Sequence, residues 1–249
     1  MKTELIYGIH AVENLLEKNT KTIQMIWLQK GRHDNRFQKL LMLAKAKVVK
    51  VQQVEKHEIE GLVGEVTHQG VIAEIRIAAE KTETDIPNLL QELSSPPLIL
   101  IIDGVQDPHN LGACLRSAEA AGAHMVIIPK DRSASVTPVV RKVACGAAEA
   151  ISVIRVTNLA RTIRQLQEIG VWIVGAAGEA EQLFYEVNYQ GSIAIIVGAE
   201  GEGMRELTKK HCDYLVKIPM QGIVSSLNVS VATGVLLFEA VRQRQLAKK

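Results

Sequence analysis

From Leu98 onward the apolar residues of this chain of 249 residues fall into short continuous runs: "LILIID", "HMVIIP", "ISVIRV", "VWIVGA", "SIAIIVGA" and "YLVKIP". Stretches with polar residues and helical spacing separate them. Such runs, bounded by turn residues, predict strands buried on both faces, and their alternation with helices predicts a largely parallel sheet with helices on both sides. Thr137-Pro138 marks one helix start, a capping residue followed by proline at the first helical position. Residues 5–77 alternate less regularly: a helix near His10 to Lys18, a strand "TIQMIWLQ", a helix near Asn35 to Ala46, a strand "KVVKV", a helix starting near Val54 and a strand "GVIAEIRI". This predicts a small α/β unit. Between the two regions, "AAEKTETDIPNLLQELSSPP" is acidic and closes on Ser-Ser-Pro-Pro, the pattern of a linker carrying a short helix. The expected organisation is an α/β domain over residues 1–78, a linker over 79–97 and a second α/β domain over 98–249.

Composition narrows the class. The longest apolar runs are far short of a membrane span. "MKTELIYGIH" has no apolar signal core, and Cys114, Cys145 and Cys212 show neither even pairing nor metal-ligand spacing, so a reducing cytoplasm is expected. The histidines form no HExxH or other metal pattern, and no metal is expected. Net charge is only +2, but its distribution is uneven. Residues 1–50 hold 10 Lys plus Arg against 4 Asp plus Glu, a net +6, and residues 51–97 hold 3 against 9, a net −6. Lys30, Arg32, Arg36 and Lys39 belong to the basic block. They point to contact with polyanionic RNA, or else to a solvated helix surface.

Ligands of open parallel sheets bind beyond the carboxyl ends of strands, so three loops matter. After "LILIID" comes Asp107-Pro-His-Asn110-Leu-Gly-Ala-Cys-Leu-Arg116. Here Asn110 is expected at the N-cap, and Arg116 off the apolar stripe, leaning over Gly112, which would leave open space beside the guanidinium. Orphan amides, the helix dipole and a five-donor arginine would favour an anion there, although an ordinary capped helix with a solvated arginine has the same pattern. The second loop, Gly198 to Met204, has the spacing G-x-x-G-x-G and carries Glu200 near the strand end. That spacing is not a dinucleotide fingerprint, and no Lys-Ser/Thr of a P-loop is present, which disfavours a nucleotide-dependent oxidoreductase or a triphosphate site. The third, Met220 to Asn228, holds Ser225, Ser226 and Asn228, more polar groups than one helix cap uses. No GxSxG elbow exists.

Taken in order, "NLGACLR", "IIVGAEGEGM" and "IPMQGIVSSLNVSVATGVLLFEAVRQR" resemble the motifs of the SpoU branch of the SPOUT RNA methyltransferases. The resemblance covers residues 98–244, and "YGIHAVENLL" looks like the small L30e-like RNA-binding domain that precedes the catalytic domain in bacterial ribosomal members. It implies a C-terminal domain with a deep trefoil knot, a homodimer, S-adenosylmethionine as cofactor, and methylation of the ribose 2′-oxygen of a guanosine in the peptidyl-transferase region of 23S rRNA or a large-subunit precursor. Its motif residues fall on Asn110, Arg116, Glu200, Ser226 and Asn228, with Gly198, Ile218, Met220, Ser225 and Leu227 around the cofactor. Arg116 would act either as base or as phosphate clamp. A tRNA guanosine methyltransferase and a non-catalytic RNA-binding assembly factor are the alternatives.

Overall fold

The computed structural model describes residues 3–18, 20–32, 34–64, 66–76, 80–199, 201 and 203–247. They form two compact units, Met1–Ala79 and Glu80–Lys249.

In the first unit the order is β1 (Thr3–Tyr7), α1 (Ile9–Lys18), β2 (Ile23–Gln29), α2 (Asn35–Ala46), β3 (Val51–Val54), α3 (Lys56–Val63) and β4 (Val71–Arg76). The sheet order is β1-β4-β2-β3, with β4 antiparallel to both neighbours and β2 parallel to β3. Val12 and Leu16 of α1 and Phe37, Leu40 and Ala44 of α2 pack on Ile26, Leu28, Val71 and Ala73, while Ile59 of α3 packs with Val54 and Ile72. Two elements differ from the sequence expectation. The strand expected at "KVVKV" begins only at Val51, because the amides of Lys47, Val48 and Val49 turn back to the carbonyls of Leu43, Lys45 and Ala44 and close α2. β1 was not expected. Its Leu5-Ile6-Tyr7 shows no alternation, and what makes it a strand is the open edge of β4.

In the second unit the order is β5 (Lys81–Thr82), α4 (Ile86–Gln91), β6 (Leu98–Asp103), α5 (Pro108–Ala120), β7 (Met125–Pro129), α6 (Pro138–Ala144), α7 (Ala147–Ala150), β8 (Ser152–Val156), α8 (Leu159–Glu168), β9 (Trp172–Ala176), β10 (Gln182–Leu183), β11 (Ile193–Gly198), α9 (Glu206–Lys210), β12 (Tyr214–Lys217) and α10 (Val229–Leu246). Every pairing of the sheet, in the order β10-β12-β9-β11-β6-β7-β8-β5, is parallel. Continuous apolar runs feed both faces. Leu98, Leu100 and Ile102 join the layer of α5, α6 and α10, whereas Ile99 and Ile101 join the layer of α4 and α8. The segment expected as a linker is part of this unit: β5 pairs with β8, and Ile86 is buried against Ile99 and Ile154.

The chain runs from β9 to the edge strand β10, returns to β11 on the other side of β9, and then lays β12 between β9 and β10. Since the strands are parallel, the loops after β6, β11 and β12 leave the same edge of the sheet. Gly198 of β11 lies in register with Asp103 of β6.

Gly112 of α5 faces α6, where an added Cβ would lie 2.7 Å from Val143 Cβ and 2.8 Å from the Val140 carbonyl oxygen. Gly112→Ala therefore destabilises the chain by about 1–3 kcal/mol through overpacking, despite the higher helix propensity of alanine. Urea denaturation checks this, and an unchanged or raised midpoint refutes it.

Candidate active site

Helix α5 starts earlier than its sequence suggested. Proline suits the first helical position and forces the preceding residue out of helical geometry. Asp107 is accordingly the N-cap, its Oδ1 accepting from His109 N at 3.0 Å. Asn110, expected at the cap, lies inside the first turn, and its side chain is available for a different contact. Asn228 Nδ2 donates to Asn110 Oδ1 at 3.0 Å across 118 positions of sequence. Asn228 is itself the N-cap of α10, its Oδ1 accepting from Ser230 N at 2.9 Å and Ser230 Oγ at 2.6 Å. Behind the pair the helices are in contact, with Cys114 Sγ 3.5 Å from Thr233 Oγ1 and both side chains buried.

Arg116 lies farther along α5 and is exposed. Gly112 does not open space for it, because α6 fills that position. Its guanidinium instead meets Cys145, with Nη1 3.6 Å from Sγ, at the left-handed C-cap of α6. No ion pair to Arg116 is present among the described residues, so its charge is available to an anion.

The loop after β11 is shaped by backbone. Ala199 and Gly203 bridge through N–H···O bonds of 3.0 and 2.9 Å, and Gly201 and Gly203 adopt φ of 80° and 69°. A Cβ on Gly198 would lie 2.1 Å from the Gly203 carbonyl carbon, so only glycine fits there. Glu200 lies outside the described residues. In the loop after β12, Ile218, Met220 and Leu227 are half-buried, and Ser225 and Ser226 are exposed. Side chains added at Gly201 and Gly203 would meet nothing within 4 Å. Open backbone beside half-buried apolar side chains suits a ligand with an aromatic base and a polar ribose. Among the described residues no group of three or more His, Cys, Asp or Glu is placed to hold a metal ion.

Three residues of this edge escaped the sequence reading. Asp103, at the end of β6, is buried and its Oδ2 accepts from Arg205 N at 3.0 Å, while Arg205 Nε lies 3.4 Å from Oδ1. Arg205 Nη2 also donates to the Asp131 carbonyl at 3.3 Å. Asp103, Arg205 and Arg132, together with Asn110 and Gly104, line a cavity of about 340 Å³. The available signal was a carboxylate ending an otherwise apolar strand.

The basic cluster of the first unit is less free than its charge count implied. Lys30 pairs with Glu55 at 3.2 Å and Lys39 with Glu13 at 2.6 Å. The hydrogen bond between Lys39 and Glu13 raises the lysine pKa and lowers the carboxyl pKa. Arg32 holds Asp34 at 2.6 Å, which keeps that carboxyl below its ordinary pKa, donates to the Gln69 carbonyl at 2.6 Å and lies over the Phe37 ring. It clamps two loops of its own unit. Arg36 is exposed.

A parallel α/β domain with its polar residues gathered at one sheet edge, preceded in the chain by a small mixed α/β unit, fits a two-domain RNA methyltransferase. Residues 97–238 match the SpoU rRNA Methylase family, residues 5–80 match the RNA 2′-O ribose methyltransferase substrate binding family, and the chain belongs to the SpoU family. It is 58% identical over 245 residues to the 23S rRNA (guanosine-2′-O-)-methyltransferase RlmB of Pseudomonas putida, covering 98% of each chain. To the Escherichia coli K12 enzyme of the same name it is 53% identical over 242 residues, covering 97% of this chain and 99% of that one. Among solved structures, an RNA 2′-O ribose methyltransferase aligns with a TM-score of 0.73 at 29% identity over 98% of this chain and 89% of that one. The SpoU methyltransferase AviRb of Streptomyces viridochromogenes, in complex with AdoMet, shares the fold with a TM-score of 0.76 at 22% identity, over 98% and 91% of the two chains.

The asparagine contact and the α10 cap are separable. Asn110→Ala removes the contact and leaves the α10 cap in place, and is expected to cost about 0.5–1.5 kcal/mol. Asn228→Ala also removes the cap and costs about 1 kcal/mol more. Denaturation of both single variants and the double variant should give a positive coupling energy, and strict additivity would show that the hydrogen bond contributes nothing.

Proposed function

We propose that this chain transfers a methyl group from S-adenosylmethionine to the ribose 2′-oxygen of a guanosine in 23S rRNA. What carries the reading is that both units match together, at 53–58% identity over nearly the whole length of relatives named for that reaction. The loops after β11 and β12 hold the cofactor through Gly198, Ile218, Met220, Ser225 and Leu227. When bound, it supplies an electrophilic methyl group on a sulfonium. The chain's own residues then align the attacking hydroxyl, whose proton passes to solvent water. Arg116 is the phosphate clamp: a guanidinium resists deprotonation, and its planar fork matches the phosphate beside the target ribose and stabilises charge developing on the 2′-oxygen. Asn110 and Glu200 position the ribose, and Ser226 and Asn228 shape the last loop around it, so that much of the rate enhancement comes from orientation.

The remaining features of the reading have structural support. Insertion of β12 between β9 and β10, with α10 returning to α5, supports a trefoil knot. Exposed Ile223, Val224, Val231 and Phe238 on and before α10 support a homodimer. The RNA substrate and the free cysteines support a cytoplasmic location, and among the described residues no helix is long and apolar enough to cross a membrane. Lys30, Arg36 and Lys39 contact RNA, since an exposed ion pair is worth only about 0–1 kcal/mol and yields readily to phosphate.

Purified protein is incubated with methyl-labelled S-adenosylmethionine and either unmodified 23S rRNA or tRNA, and the RNA is digested to nucleosides. Label in 2′-O-methylguanosine from 23S rRNA alone is expected, and label from tRNA alone overturns the substrate assignment. Arg116→Ala should lower transfer by about 100-fold or more with cofactor affinity nearly unchanged, and near-normal turnover removes Arg116 from the mechanism. Lys30→Glu, Arg36→Glu and Lys39→Glu together should weaken RNA binding and flatten its dependence on salt. Unchanged RNA affinity returns these residues to an ordinary solvated surface.

A further inference from the structure

The cavity at the ends of β6 and β11 has a polar end that none of the roles above uses. It reaches from Asn110 to Arg132 and Arg205, with Gly104 between them: a Cβ added there would lie 3.9 Å from both the Arg132 carbonyl oxygen and Arg205 Nη2. Arg132 adopts φ 56°, uncommon for a residue with a side chain. Hydrogen bonds to the residues before and after it hold the segment. Ala134 N donates to the Val105 carbonyl at 2.9 Å, Arg205 to the Asp131 carbonyl, and Arg155 Nη2 to the Lys130 carbonyl at 2.9 Å. The Arg132 side chain is exposed and makes no hydrogen bond or ion pair among the described residues. A backbone so constrained around an arginine whose side chain has no partner among the described residues points to a ligand.

The chemistry of the lining narrows that ligand. Arg205 is oriented and partly neutralised by buried Asp103, and Asp107 and Gln106 also line the cavity, with Asp107 Oδ1 engaged by His109 N. A phosphate accepts hydrogen bonds only and would be repelled by the carboxylates. Guanine matches a mixed lining. Its O6 and N7 are adjacent acceptors for a guanidinium fork, and its N1–H and N2–H₂ are donors for carboxylate or amide oxygen. At about 340 Å³ the cavity is at the small end of ligand sites, the scale of a single nucleoside. Asn110, assigned to the ribose, is one of its lining residues.

We propose that this cavity receives the guanine of the target nucleotide, turned out of its stack, with Arg132 reading O6 and N7 and Asp107 and Gln106 facing N1–H and N2–H₂. Arg132 is then a specificity-determining residue and Asp103 a positioning residue that sets Arg205. The inference rests on the methyl-transfer reading above.

The test locates the labelled nucleotide in wild-type reactions and then places guanosine or 7-deazaguanosine there by RNA ligation. Wild-type protein should lose about tenfold or more in kcat/KM when N7 is removed. Arg132→Ala should show a similar loss on guanosine RNA, no further loss on 7-deazaguanosine RNA, and unchanged affinity for S-adenosylmethionine by calorimetry. Arg132→Gly, at home at positive φ, repeats the measurement if the alanine variant unfolds. Continued discrimination against 7-deazaguanosine by the folded variants overturns the proposal. So does a wild-type enzyme indifferent to N7, or an Arg132 variant whose defect is in cofactor binding. Absence of label from wild-type protein on any RNA instead brings down the methyl-transfer reading itself.

Discussion

The site depends on the packing of α5 against α10. That contact brings Asn110 and Asn228 to 3.0 Å although 118 positions separate them. Each asparagine begins with a local task in sight, since Asn is a favoured cap and both stand near a helix start. Only Asn228 performs it. Asp107-Pro108 takes the cap of α5, and the amide of Asn110 is left to receive a hydrogen bond from the last helix of the chain.

The same edge of the sheet is built by close approach. Gly112 lets α6 settle on α5, and Gly198 lets the loop after β11 fold back on itself; a methyl group at either position would collide with its neighbours. Both glycines set the shape of the site through packing. Gly201 and Gly203 of the same loop have open space around them.

Charge is handled differently in the two units. At the sheet edge, buried Asp103 fixes Arg205 from below, while Arg116 and Arg132 stay exposed and uncompensated among the described residues. In the first unit, Lys30, Arg32 and Lys39 all have carboxylate partners, and Arg32 is committed to holding the Gln69 loop. A charge count treats these arginines and lysines alike. Their hydrogen bonds separate the residue that supports the fold from those that can exchange a surface carboxylate for a phosphate.

By itself the sequence determined the alternation of strands and helices in the second unit, because strands buried on both faces read as unbroken apolar runs. It also determined the three polar loops, since residues such as Asn110, Arg116 and Asn228 stand out against those runs. It could not place β1, whose pairing depends on a partner far along the chain, nor end α2 within "KVVKV", where β-branched residues serve as a helix stop. The tertiary structure alone decided the insertion of β12 between β9 and β10, the meeting of Asn110 with Asn228, and the cavity formed by Asp103, Arg132 and Arg205. The reason is physical: periodicity and capping are local properties of a chain, whereas a contact between distant residues exists only once the helices that carry them have packed.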